Sequence, residues 1–292
     1  MVQLADKRMA TTELRQKNYE ENDGWLLAKT RHSHIVFFLI LAANVFGRNS
    51  RILGGEDADI RHFPYLASLR HLNTGVHRCG GSIISKSHLL TAAHCFTDIE
   101  FSNMIVYVGT HNSSDTSAPS YNIEDLDIHP EFRDMMKKDK KKGILNDVAV
   151  VTLNRSLEFN EFVNKIRLPR TNVVADSRVV VVGWGKTAVN NVNFSQKLQK
   201  ISMRVLKNSV CEEALPFYLQ IQQLCTYNSV GIGVCIGDSG GPLIHDNILV
   251  GIISYINPCA IGYPDVSSRT FYYMDFIKSV LNKSNKINCC TS

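Results

Sequence analysis

The stretch Gly237-Asp-Ser-Gly-Gly-Pro242 sets one serine among glycines. Glycine on both sides lets the backbone bend tightly and turn N–H groups toward a neighbouring oxygen. A serine hydroxyl is a weak nucleophile until a base within hydrogen-bond reach takes its proton. Taken alone, such a stretch is more commonly a turn with a surface serine. Gly-x-Ser-x-Gly also fits the nucleophile elbow of an α/β-hydrolase, which needs an acid and then a histidine after the serine. Only His245 follows Ser239, too close for that order, so the elbow is excluded. Upstream, Leu89-Leu-Thr-Ala-Ala-His-Cys95 ends an apolar run on His94, and Asn146-Asp147 opens another. A lone histidine after an apolar run is usually a satisfied core residue. A carboxylate opening a buried strand is costly unless hydrogen-bonded. Together, in the order His94, Asp147, Ser239, these residues have the makings of a charge-oriented base and a nucleophile.

The elements that would position them are short and β-branched. Residues 103–109, 147–153, 178–183 and 247–254 are strand-length apolar runs, and residues 197–206 alternate loosely, as a half-buried strand does. No helical run of 10–15 residues separates them, which argues against a parallel α/β sheet. One helix is expected near the C-terminus, at about residues 271–282. There Tyr273, Phe276, Ile277, Val280 and Leu281 recur at helical spacing. The pattern predicts an all-β pair of domains closed by that helix.

The 292 residues are 44% hydrophobic and 20% charged, a globular composition. Residues 1–51 carry eight Lys/Arg against five Asp/Glu, so residues 52–292 hold only +2 of the net +5. A nucleic-acid partner, which needs a basic face, is excluded on that balance. Residues 1–34 are polar, without periodicity, and read as an extension that is disordered. Residues 35–46 form an apolar run preceded by Lys29, Arg31, His32 and His34. Its length suits a signal-peptide core better than a bilayer span, and Val45 and Gly47 suit a cut after Gly47. The 34 residues ahead of the run leave a retained signal anchor as an alternative. Secretion would make Asn112, Asn154, Asn193 and Asn282 candidate glycan acceptors, each a weak tripeptide signal.

The Thr-Ala-Ala-His-Cys, Asn-Asp-Val-Ala and Gly-Asp-Ser-Gly-Gly-Pro motifs resemble those of the trypsin/chymotrypsin family of serine endopeptidases, of the arthropod digestive, chymotrypsin-like type. The resemblance runs from Arg51 to about Ile277 and includes Cys79-Gly-Gly-Ser82 and Val182-Gly-Trp-Gly185. It implies two antiparallel six-stranded β-barrels with the site in the cleft between them. Barrel one would cover about residues 52–165 and barrel two about 166–270 of a protease domain spanning 52–292. It implies that His94 is the general base for Ser239, that Asp147 orients the imidazole, and that the N–H groups of Gly237 and Ser239 bind the oxyanion.

The resemblance also pairs the cysteines: Cys79 with Cys95, Cys211 with Cys225, Cys235 with Cys259. Cys289 and Cys290 are left over, as free thiols or a link to another chain. No Cys-x-x-Cys pair suggests zinc, and residues 108–112 lack the glutamate of the family's calcium loop, so neither metal nor cofactor is expected. Arg51-Ile-Leu-Gly-Gly55 resembles a zymogen cleavage site after a short propeptide, residues 48–51. The freed amine of Ile52 would fold inward onto Asp238.

Specificity departs from trypsin. Gly233 stands where trypsin relatives have the pocket-floor aspartate, while Asp265 enters from the opposite wall, where many relatives have glycine. A carboxylate there either meets a cationic side chain, as in crab-collagenase-like relatives of broad preference, or narrows the pocket. Ile256 replaces a glycine and would crowd the mouth, as in elastase-like enzymes. A non-tryptic preference for hydrophobic or small residues is expected. Lys137-Lys-Asp-Lys-Lys-Lys142 reads as a solvated loop, or as an exosite for anionic substrates or a self-cleavage point. The expected partners are protein or peptide substrates, an activating protease and proteinaceous inhibitors, with a membrane only if residues 35–46 are retained. A rival reading is a catalytically silent homologue that works as a binding module.

Overall fold

The computed structural model describes residues 54–134, 143–187, 193–256 and 259–290, with side chains up to residue 283. Strands β1 (Glu56–Asp57), β2 (Leu66–His71), β3 (His77–Ile83), β4 (His88–Thr91), β5 (Met104–Val108) and β6 (Ser120–Ile128) are followed by the two-residue strands β7 (Arg133–Asp134) and β8 (Ile144–Leu145), then β9 (Ala149–Leu153). The second half holds β10 (Arg178–Gly183), β11 (Gln199–Val205), β12 (Gln223–Tyr227), β13 (Pro242–His245), β14 (Ile248–Tyr255) and β15 (Asp265–Arg269). The expected strands at 103–109, 147–153, 178–183, 197–206 and 247–254 are all present, with ends that differ by a few residues.

Two antiparallel barrels result. The first closes in the order β2-β3-β4-β9-β6-β5. The second runs β11-β10-β13-β14-β15-β12, closed by pairing of β11 with β12. β1 adds to that second sheet through Glu56 opposite Lys200, so the first described strand, although it falls within residues 52–165, does not belong to barrel one. Closure removes sheet edges that would otherwise offer unpaired N–H and C=O groups. β2 and β4 are buried on both faces, whereas β11 alternates buried and outward residues.

One apolar core fills barrel one and continues through Trp184, Leu198 and Ile252 into the seam between barrels; a second, with Val179, Val181, Ile201 and Leu243, fills barrel two. The C-terminal helix lays Ile277 and Val280 onto the barrel-one core, beside Tyr273 from the turn that precedes it. Burying a side chain such as Ile277 stabilises by roughly 1.5–3 kcal/mol. The helix spans Met274–Cys290 after a 3-10 turn, Thr270–Tyr273, and so runs past the expected end near 282. No glycine or proline lies between 274 and 290 to stop it. A short helix at Asn208–Glu212 was not foreseen, because five residues carry no readable periodicity.

Three disulfides join Cys79 to Cys95, Cys211 to Cys225, and Cys235 to Cys259. Each contributes on the order of 2–4 kcal/mol by restricting the unfolded chain. No helix among the described residues is long and apolar enough to cross a membrane. Residues 1–53, with the apolar run and the Arg51–Ile52 bond, and the lysine run at 137–142 lie outside the described residues.

Candidate active site

The pairing of β4 with β9 brings two of the three residues together. Its last register pair is Thr91 with Ala149. The chain leaves β4 into a 3-10 turn, Ala93–Phe96, that carries His94. Asp147 sits just ahead of β9. Its carboxylate accepts the His94 backbone N–H at 2.8 Å on Oδ1, and Oδ2 lies 2.7 Å from His94 Nδ1. Ser254 Oγ donates to the same Oδ2 at 2.5 Å. Three bonds thus answer the burial of a carboxylate only 1% exposed.

The charges follow from this arrangement. Burial by itself would raise the Asp147 pKa, but the adjacent imidazole and the donated hydrogen bonds outweigh it and hold Asp147 below the usual carboxylate value. Burial likewise pulls His94 down, and the Asp147 charge and bond outweigh it, so His94 lies above its ordinary value. The pair is therefore poised to hold a proton on the imidazole with the carboxylate still ionised.

Ser239 arrives from barrel two, in the turn between Cys235 and β13. Asp238 is the pin of that turn: its carboxylate accepts the N–H of Gly185 at 2.8 Å and of Cys235 at 3.0 Å. From barrel one, the Gly80 N–H donates to the Ser239 carbonyl at 2.8 Å. The approach is tight enough that a Cβ on Gly80 would lie 2.8 Å from Gly241 Cα, which accounts for a glycine at this position.

His94, Ser239, Gly237, His77, Ile236 and Phe194 line one cleft of about 330 Å³. Among the described residues no hydrogen bond joins His94 to Ser239; such bonds commonly tighten only with substrate in place. Nor does any described residue accept the N–H of Gly237 or Ser239. Gly237 has φ +102°, a left-handed conformation that favours glycine. Gly237 and Ser239 both line the cleft, and both N–H groups are without a partner among the described residues.

Asp265 opens β15 and is only 4% exposed. A Cβ on Gly233 would sit 3.3 Å from its Oδ2, so the lack of a side chain at Gly233 leaves room for this carboxylate. Among the described residues the carboxylate accepts one hydrogen bond, a long one, 3.4 Å from the Val234 N–H. Burial, with nearby Asp238 adding to it, drives Asp265 well above the usual range. Asp238 is likewise pushed up by burial, to about 6. Ile256 is half-buried and packs against the barrel-two core. Asn154, Asn193 and Asn282 are exposed, and Asn112 is half-buried with its carbonyl and side-chain oxygens both engaged. Cys79, His94 and Cys95 converge closely enough to suggest a metal site. Both sulfurs are tied in the Cys79–Cys95 disulfide, so no thiolate is left to ligate one.

Several residues at the site escaped sequence reading. Ser254 and Ser268, whose Oγ donates to the Asp147 carbonyl at 2.8 Å, are serines on apolar strands. His77 lies fully inside, with Nδ1 2.8 Å from Ser68 Oγ and Nε2 2.8 Å from the Gly237 carbonyl oxygen. The only sequence signal is a polar residue at a core-facing strand position.

The comparisons with known proteins agree with this architecture. The family model described as Trypsin matches residues 52–277. Chymotrypsin-2 of Vespa crabro is 33% identical over 228 residues, covering 78% of this chain and 98% of its own. Trypsin II-P29 of Gallus gallus is 30% identical over 80% of this chain and 90% of its own. Brachyurin of Leptuca pugilator is 30% identical over 78% and 97%. With two closed barrels, three disulfides and a family match across the whole double-barrel region, the chain belongs to the trypsin family and is a serine-type endopeptidase that hydrolyses protein and peptide substrates.

Proposed function

We propose that hydrolysis proceeds through a triad of Ser239, His94 and Asp147 and an acyl-enzyme. The observation that carries this reading is that His94, bonded from behind to the buried Asp147, lines one cleft with Ser239 and with Gly237, whose N–H groups have no partner among the described residues. His94 takes the Ser239 proton as the hydroxyl attacks the scissile carbonyl, and passes it to the leaving amine. Asp147 fixes the tautomer with the proton on Nδ1 and stabilises the imidazolium. The N–H groups of Gly237 and Ser239 bind the oxyanion, where the loss of one donor costs about 3–4 kcal/mol in a studied protease. Water then repeats the sequence on the ester, with His94 as its base.

In this reading the chain is made with a signal segment at 35–47 and secreted. It carries glycans at exposed Asn-x-Ser sites and is activated by another protease that cuts after Arg51. Protein inhibitors would compete for the same cleft. The freed Ile52 amine would meet Asp238, a buried carboxylate whose described bonds come from two backbone N–H groups and no cation. That amine must stay protonated to pair, so activity falls at alkaline pH as it loses its proton.

Preference before the cut is chymotrypsin- or elastase-like, or broad. Ile256 and the absent floor carboxylate at Gly233 favour apolar or small side chains. The weakly bonded Asp265 beside Gly233 favours admitting a cationic side chain as well. Peptides differing only at the residue before the cut test this; exclusive Arg/Lys cleavage would overturn it. The main reading is tested with a serine-directed fluorophosphonate. Labelling of Ser239 only after cleavage at Arg51 is expected. No labelling of cleaved protein would make the chain a silent homologue that binds without cutting.

A further inference from the structure

Arg70 is a guanidinium with no solvent exposure. It stacks 4.1 Å over the Tyr107 ring. Nη1 donates to the Asp115 carbonyl at 2.7 Å and Nη2 to the Asn112 carbonyl at 3.1 Å. Among the described residues it forms no ion pair with a carboxylate. Burying an unpaired guanidinium is expensive, and an apolar side chain would fill the same strand position at lower cost. The remaining donor shows what an apolar residue could not do. Nε donates to Ser68 Oγ at 3.0 Å, Ser68 Oγ lies 2.8 Å from His77 Nδ1, and His77 Nε2 lies 2.8 Å from the Gly237 carbonyl oxygen.

Every donor direction in this chain is forced. The Gly237 carbonyl can only accept, so His77 Nε2 carries a proton. Burial pulls His77 down to about 4, so at neutral pH the ring has one N–H and Nδ1 is bare. Ser68 must therefore donate its O–H to Nδ1, and its oxygen is open to Arg70 Nε–H. The chain starts at a group that can only donate and ends at one that can only accept. Such aligned bonds strengthen one another in a dry interior.

What hangs on the end is Gly237, which lines the cleft and whose N–H has no partner among the described residues. Gly237 has φ +102° and the widest conformational freedom of any residue type. Phe194 covers its Cα, where a Cβ would meet the ring at 2.7 Å, and the same ring and Trp184 pack edge-on to His77, each 5.5 Å away. The His77 bond holds the carbonyl side.

We propose that Arg70 is a positioning residue for the oxyanion site. Through Ser68 it reinforces the His77 tautomer that grips the Gly237 carbonyl, and it couples the 110–117 loop to the Gly237 peptide. This rests on the oxyanion role of Gly237 proposed above.

Arg70→Met, Ser68→Ala and the double variant, each cleaved after Arg51, test it. kcat is counted per fluorophosphonate-titrated site. Each single variant should lose about tenfold in kcat with KM within about twofold, and the double variant should lose no more than the worse single. In NMR, the slowly exchanging His77 Nε2–H signal of wild type should broaden or vanish in both singles. A purely structural arginine would lower thermal stability and leave kcat per site and that signal unchanged, which overturns the proposal; so do losses that multiply in the double variant. If Arg70→Met does not fold, Ser68→Ala decides by the same two readouts. Wild type that fails to label would sink the underlying site reading, whereas active wild type with unaltered variants sinks this inference alone.

Discussion

Asp147 and Asp265 are the same side chain in nearly equal burial, 1% and 4% exposed, and they titrate in opposite directions. Burial pushes both up. At Asp147 an imidazole, a backbone N–H and a serine hydroxyl reverse the push. At Asp265 one long bond from Val234 does not. Asp238 stands between them, with two backbone donors and a value raised to about 6. The number and charge of the donors, not depth, decide what a buried carboxylate does. The well-served one can orient a base. The poorly served ones have capacity left for a cation arriving from elsewhere, which in the proposed function is the Ile52 amine at Asp238 and a substrate side chain at Asp265.

Removing the charge at the best-served carboxylate should have the largest effect. Asp147→Asn keeps the shape but presents an amide to His94, which favours the wrong tautomer. A fall in kcat of about 10⁴ is expected, the size seen for the corresponding change in the family's well-studied template. Stopped-flow or steady-state rates per titrated site measure it; a loss under tenfold would place the base elsewhere. Next is Asp238→Asn. Breaking a buried pair costs about 3–5 kcal/mol, so cleaved Asp238→Asn should remain folded and titrate few active sites, roughly one in 10² to 10³. Full occupancy of the active site would show that no amine depends on this carboxylate.

Sequence made the contrast only half visible. His94, Asp147 and Ser239 could be read because each sits in a run of several residues whose types are jointly restrictive: small residues before the histidine, glycines around the serine. The barrels were legible because strands such as β10 and β14 are β-branched and bounded by glycine or turn residues. Ser254, Ser68 and Arg70 were not, because one polar residue in an apolar strand says nothing about its partner on another strand. The partners lie far off in the chain, as with Ser254 and Asp147, and only register brings them together. The C-terminal helix was found from its stripe, but its end was missed because a stripe marks the packed part of a helix and not its last turn.

Ser254→Ala removes one of the three donors at Asp147 and moves it one step toward the condition of Asp265. A buried hydrogen bond to a charged group is worth about 1.5–3 kcal/mol. With one stabilising bond gone, the Asp147 pKa should rise, its hold on the imidazolium weaken, and the His94 value fall. kcat should drop about tenfold, and the acid limb of the kcat/KM profile should move to lower pH. An acid limb that stays in place would mean that Ser254 acts only on packing.

The smallest effect concerns stability and tests the contrast without any substrate. Asp265 has a folded pKa raised above its unfolded value. The folded state therefore binds the proton more tightly, and the stability Asp265 contributes is complete below the unfolded value and is lost as pH rises toward the folded one. Asp147 has the opposite sign: its contribution is present above the unfolded value and is lost as pH falls through the folded one. Asp265→Asn removes the first slope and leaves the second. Urea unfolding of the uncleaved chain between pH 4 and pH 7 should show the wild type losing stability relative to Asp265→Asn as pH rises, by on the order of 1 kcal/mol at pH 7. Parallel curves would mean that Asp265 already has a partner in the folded chain, and the pocket would then have no spare carboxylate to offer a cationic substrate.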